Sequence, residues 1–132
     1  MDELEINGVV PELNGKALKK LIVQEFWYDG ICEEVANVVY LNVDNTWYRL
    51  YFDCGIVFWR QDITDFENEH IIKFDETVYK FRDLGNELNI AGSQIVSCET
   101  KAIENGTKVT FNLNGRSSIA FKCIGDDTSW ET

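Results

Sequence analysis

The chain has one histidine, one proline and no C-x-x-C pair in its 132 residues. Without paired cysteines at short spacing there is no zinc knuckle and no dithiol redox motif. Cys32, Cys54, Cys98 and Cys123 are separated by 22, 44 and 25 positions. Cys98 and Cys123 fall within apolar strand patterns, and the four cysteines are read as reduced, small core residues. No run approaches the roughly 18 apolar residues of a membrane span. The opening Met1-Asp2-Glu3-Leu4-Glu5 lacks the basic and apolar regions of a secretory signal. A cytoplasmic protein is expected.

Catalytic signatures are equally scarce. His70 lies in Asp65-Phe66-Glu67-Asn68-Glu69-His70, where a carboxylate could orient it as a base, yet no G-x-S-x-G elbow supplies a nucleophile. It is read as a solvated surface side chain. Asp62, Asp65, Glu67 and Glu69 are hard-cation ligand types. Their spacing fails the EF-hand rule, because Thr64 and Phe66 occupy ligand positions and no glycine makes the sharp turn. Gly92-Ser93 has neither the flanking glycines nor the lysine of a phosphate loop. No enzyme activity, metal or cofactor is expected.

Positive charge is also in short supply. Twelve Lys and Arg against 23 Asp and Glu leave −11. Residues 1–34 and 62–87 carry −5 each, residues 35–61 sum to zero and residues 88–132 to −1. Such a field repels nucleic acid and anionic membranes and speeds encounter with a basic protein.

What is abundant is apolar and aromatic: 45% hydrophobic residues, with 4 Trp, 5 Tyr and 8 Phe. A chain of this length buries about two thirds of the surface its unfolded form exposes, enough for one self-sufficient domain spanning residues 1–132. Asn105-Gly106 and Asn114-Gly115 are hairpin signals separating strands predicted at 94–104, 107–113 and 116–124. Val109, Phe111 and Leu113 alternate onto one face, as do Ile119, Phe121 and Cys123. A second meander is predicted at 35–43, 46–53 and 56–61, turned at Asp44-Asn45 and Cys54-Gly55. An earlier strand at 18–27 joins it across Tyr28-Asp29-Gly30, and 4–6 is a short edge strand.

Residues 71–84 fit helix and strand equally: Ile71, Phe74, Val78 and Phe81 recur at three and four, whereas Tyr79, Phe81 and Asp83 alternate. The helical version places Asp75 at the N-cap and Gly85 at C′. The expected fold is mainly β, with two antiparallel meanders packed as a sandwich or partly open barrel and room for one short helix.

Adjacent rings on a strand point to opposite faces, so Trp47-Tyr48, Trp59 beside Arg60 and Trp27-Tyr28 each offer one group to the core and one outward. An outward Trp or Tyr rimmed by carboxylates is a protein-binding arrangement. The predicted binding surface is Asp62, Asp65, Glu67 and Glu69 together with Trp27, Tyr28 or Trp59. Through Trp47-Tyr48-Arg49-Leu50, Asp53-Cys54-Gly55 and Trp59-Arg60, the chain resembles small acidic bacterial immunity proteins of toxin systems. That resemblance implies a non-enzymatic protein that neutralises a cognate toxin domain, often a nuclease. The alternative is a small-molecule or carbohydrate-binding domain using an aromatic-lined face. A third reading closes a homodimer through that face.

Overall fold

A computed structural model describes residues 4–62 and 71–132. Its first half contains β1 (Glu5–Asn7), β2 (Ala17–Tyr28), β3 (Ile31–Val43), β4 (Thr46–Asp53), β5 (Ile56–Asp62), β6 (Ile71–Phe74) and β7 (Thr77–Asp83). After a single helical turn, α1 (Leu84–Glu87), come β8 (Ser93–Ile103), β9 (Gly106–Leu113), β10 (Ser118–Ile124) and β11 (Asp127–Glu131). The fold is mainly β, as expected.

The strands run in the order β1-β5-β4-β3-β2-β8-β9-β10-β11, with β7 also pairing β2 and β6 completing that hairpin. All pairs are antiparallel except β1 with β5. Between β2 and β8 the ladder consists of Ala17↔Gln94 and Leu18↔Ser93. That short junction leaves the second half free to lie over the first, and the sheet does not close into a barrel. Glu34 of β3 accepts a hydrogen bond from the Thr128 backbone on β11. Thr107 Oγ1 donates to the Gly55 carbonyl at 3.3 Å, joining β9 to the β4–β5 turn.

Alternation decides which side chains meet. In β9 every second residue is buried, placing Thr107, Val109, Phe111 and Leu113 inward. Val109, Phe111 and Leu113 join Leu18, Leu21, Val23, Val39, Leu41, Leu50, Val57 and Trp59 from the first half in one core. Each fully buried side chain of this kind stabilises the fold by about 1.5–3 kcal/mol relative to exposure.

Residues 71–83 form a hairpin. Asp75 sits at its turn with φ 52°, and α1 starts where the predicted helix would have ended, with Asp83 accepting from the Asn86 N–H. Periodicity was ambiguous there. Pairing of Ile22–Tyr28 with Thr77–Asp83 along β2 selects the extended form, since it satisfies backbone groups that an isolated short helix leaves to water. β11 was not foreseen, because Asp127-Thr128-Ser129-Trp130-Glu131 is too polar to read as a strand. Asn114-Gly115 differs as well: it opens a 3₁₀ turn, Asn114–Arg116, in a longer connection.

Candidate functional site

Of the surface predicted from sequence, Trp27, Tyr28, Trp59 and the backbone of Asp62 lie among the described residues, and these four are not brought together. Trp59 lies on the inward face of β5, 1% exposed, with its ring edge-on to Phe111 at 6.3 Å between centroids. It is a core residue, and its removal from the predicted binding set has a plain cause: β5 inherits the parity of Leu50, its partner on β4. Asp62 pairs along the backbone with Trp47, which itself faces Asn42 near the far end of β3. Tyr28 is opposite Ile31 at the near end. Ile31 and Asn42 are eleven positions apart on β3, on the order of 35 Å along the strand. Asp65, Glu67, Glu69 and His70 lie outside the described residues.

Trp27 and Tyr28 do meet other acids. Asp29 and Gly30 turn the chain with φ 49° and 77°, the two positive values of a type I′ hairpin. The Asp29 N–H donates to the Glu76 carbonyl at 3.0 Å, so the β2–β3 tip is tied to the β6–β7 turn. Two hairpin ends therefore share one exposed surface. Tyr28 is 49% and Ile31 62% exposed there, and the carboxylates of Asp29, Glu33, Asp75 and Glu76 are exposed around them.

Trp27 supports this tip from its inward side. Its Nε1 donates to Glu25 Oε1 at 3.0 Å, and Lys80 Nζ is 3.9 Å from its ring centroid. Arg82 continues the row, 3.7 Å from Glu25, 2.9 Å from Glu87 and over the Trp130 ring at 5.5 Å. These cations are engaged by the protein's own acids and rings, so the tip keeps its negative character. Two ionisable groups on β3 are raised, chiefly by burial. Burial, then Glu25, raises the Cys32 thiol; burial, then Asp127 and Asp126, raises Glu34 against the lowering hydrogen bond from Thr128.

The outward face of the first half is aromatic. Tyr51 and Phe58 stack at 4.9 Å with planes 2° apart, flanked by Arg49 over Tyr51 and Arg60 over Phe58. Further along, Ile22 and Tyr40 are buried beneath Val38, Trp47 and Phe81. Trp47 and Tyr48 do point to opposite faces, Tyr48 packing on the main core. Beside β5 a cleft of about 380 Å³ is lined by Val9, Pro11, Tyr48, Arg60 and Gln61 among others. Among the described residues no group of His, Cys, Asp and Glu is placed to hold a metal ion.

All four cysteines are free, but only Cys123 is buried: Cys32 and Cys98 are half-buried, and Cys54 is exposed in the β4–β5 turn with φ 51°. The reading of all four as core residues is corrected accordingly. Ile31, Asp29, Asp75 and Glu76 escaped the sequence reading of the binding surface. The Asp29-Gly30 turn was visible, but its contact with a turn 46 residues later was not.

No family model, curated protein or solved structure matches the chain.

Proposed function

We propose that the protein is a non-enzymatic inhibitor that binds and neutralises a basic protein domain, such as a bacterial toxin or nuclease, in the manner of immunity proteins. The observation that carries this reading is the two-hairpin tip, where exposed Tyr28 and Ile31 stand among Asp29, Glu33, Asp75 and Glu76. Apolar anchors within a charged rim are the anatomy of a binding hot spot. Carboxylates there complement a cationic cleft and accelerate encounter. Partner docking would bury the two apolar side chains and pair the acids around them.

The test is co-expression with the protein encoded beside this gene. Growth rescue, with a salt-sensitive complex that Tyr28→Ala weakens, supports the reading. Absence of both toxicity and complex overturns it.

A second reading has its own observation, the Tyr51–Phe58 stack between Arg49 and Arg60. Stacked rings with adjacent cations suit a flat or sugar-like small molecule. Such binding would be lost in Tyr51→Ala and would be detected by a thermal-shift screen of small molecules; failure of every ligand to shift the wild type removes this alternative.

A further inference from the structure

β8 offers an unpaired strand edge. Its inner side pairs with β9 from Ile95 to Ile103. On the other side, pairing begins with β2 at Ser93 and Gln94 and ends with two bonds to the preceding loop. There the Ile95 N–H donates to Lys16 at 2.8 Å, and the Gly15 N–H donates to Ile95 at 2.7 Å. A register shift lies between Ile95 and Ser97. Beyond it, Ser97–Ile103 has no strand partner on this side among the described residues. Every second residue of this stretch thus turns its backbone N–H and C=O to an edge left open among the described residues, which is a template for another strand.

Natural edges are usually blunted by a lysine that repels a second copy, and Lys101 stands on this one. It is not alone. Glu99 and Lys101 occupy the same outward face of β8, opposite Thr110 and Lys108, and both are exposed. Among the described residues neither enters an ion pair, whereas Lys108 and Lys122 share Glu131 at 3.6 and 3.1 Å. The midpoint of Ser97–Ile103 is Thr100. Two copies of the edge related by a two-fold axis at that midpoint run antiparallel and pair residues whose numbers sum to 200. Glu99 then faces Lys101 of the copy, twice, and Cys98 faces Ala102. Geometry alone sets the centre of the window, between the register shift and the strand end. The charges are complementary about that same centre. A lysine at 101 without Glu99 would have no opposite charge across this axis; the Glu-Thr-Lys order makes the edge self-complementary.

The wider charge distribution agrees. Most of the −11 resides in residues 1–34 and 62–87, whereas residues 88–132, which contain β8, sum to −1. Two copies meeting along β8 would approach through nearly neutral surface. The exposed Val96, at 57%, would lie next to the Ile103 end of the partner strand.

We infer that β8 is a homodimerisation edge, joining two copies into one continuous sheet through antiparallel Ser97–Ile103 pairing about Thr100. The interface is isologous, as a closed two-fold dimer requires. It leaves the Tyr28–Ile31 tip of each copy outside the Ser97–Ile103 pairing, so it stands or falls independently of the inhibitor reading.

The experiment is sedimentation equilibrium on the full chain from micromolar to millimolar concentration, for the wild type, Glu99→Lys, Lys101→Glu and an equimolar mixture of the two variants. Each variant alone places two like-charged pairs across the two-fold. The mixture restores two opposite pairs. Expected is a wild-type dimer, a dimer dissociation constant raised about tenfold or more in each variant, and recovery to a one-to-one heterodimer on mixing. Circular dichroism identifies a variant that has not folded, and Glu99→Gln with Lys101→Gln, which weaken the pairs without reversing them, then take its place with a smaller expected loss. A wild type that stays monomeric overturns the proposal. So does a dimer that the variants leave unchanged, and so does a mixture that fails to recover.

Discussion

Trp59 of β5 and Phe111 of β9 meet edge to face across the core, their centroids 6.3 Å apart. Phe111 in turn meets Phe121 of β10 at 6.1 Å. This ring series joins the two halves where the β2–β8 ladder is only two residue pairs long. Trp59→Ala is therefore expected to cost about 3–5 kcal/mol, measured as a lower urea midpoint. Partner binding should follow the loss of folded protein and show no separate effect.

At the tip the expectation reverses. Tyr28→Ala and Ile31→Ala remove half-exposed groups, so stability should change by about 0.5 kcal/mol or less. Affinity for the cognate partner should fall about tenfold or more if these are hot-spot anchors. Surface plasmon resonance and thermal melts on the same variants separate the two effects.

On the proposed inhibitor reading, charge at the tip should govern approach more than residence. The double variant Glu33→Lys with Glu76→Lys should slow association several-fold at low ionic strength, an order-of-magnitude expectation from electrostatic steering, and the difference should shrink as salt is raised. The double variant Glu67→Lys with Glu69→Lys is the comparison, because it changes the acidic segment singled out from sequence and keeps Glu33 and Glu76. An on-rate lowered only by the second pair would count against Glu33 and Glu76 as the steering charges.

Gly106 is required by proximity. Its partner across the ladder is Ile124, and a Cβ at this position would overlap the Cys123 carbonyl oxygen. The positive φ of this turn belongs to Asn105, at 62°. Gly106→Ala should destabilise by about 1–3 kcal/mol, the usual range for overpacking, with denaturant unfolding as the measurement. Gly30→Ala tests a different cause: there space is open, and the strain comes from φ 77°.

Glu34 links the halves at some electrostatic cost. Burial, with Asp127 and Asp126, raises its ionisation above the ordinary carboxylate value, although the Thr128 N–H favours the charged form. A carboxyl raised in the folded state holds its proton longer than in the unfolded chain. Its contribution is thus most favourable below the unfolded value and is lost as pH rises through the folded one. Glu34→Gln should flatten that decline and increase the melting temperature more at pH 7 than at pH 4. A variant equally affected at both would sink this linkage.

The strands of the second half were legible in sequence because their signals are local. Val109, Phe111 and Leu113 alternate with Lys108, Thr110 and Asn112, and Asn105-Gly106 marks the turn between two such runs. Residues 71–83 were not, since both periods were present and the deciding bonds lie with β2. The candidate surface was legible only in part: Tyr28 and the surplus of acids could be read directly, but the particular acids around it could not.

Composition and alternation by themselves determined a β-rich, strongly acidic domain and the positions of most of its turns, because turn chemistry and period-two burial act over a few residues. The tertiary structure alone decided that Trp59 faces inward while Tyr28 stays exposed, and that Asp29 and Glu76 adjoin. It also decided that Ser97–Ile103 remains an open edge among the described strands. Those outcomes depend on which strand lies beside which, and strand neighbours are selected by packing and backbone pairing between residues far apart in the chain.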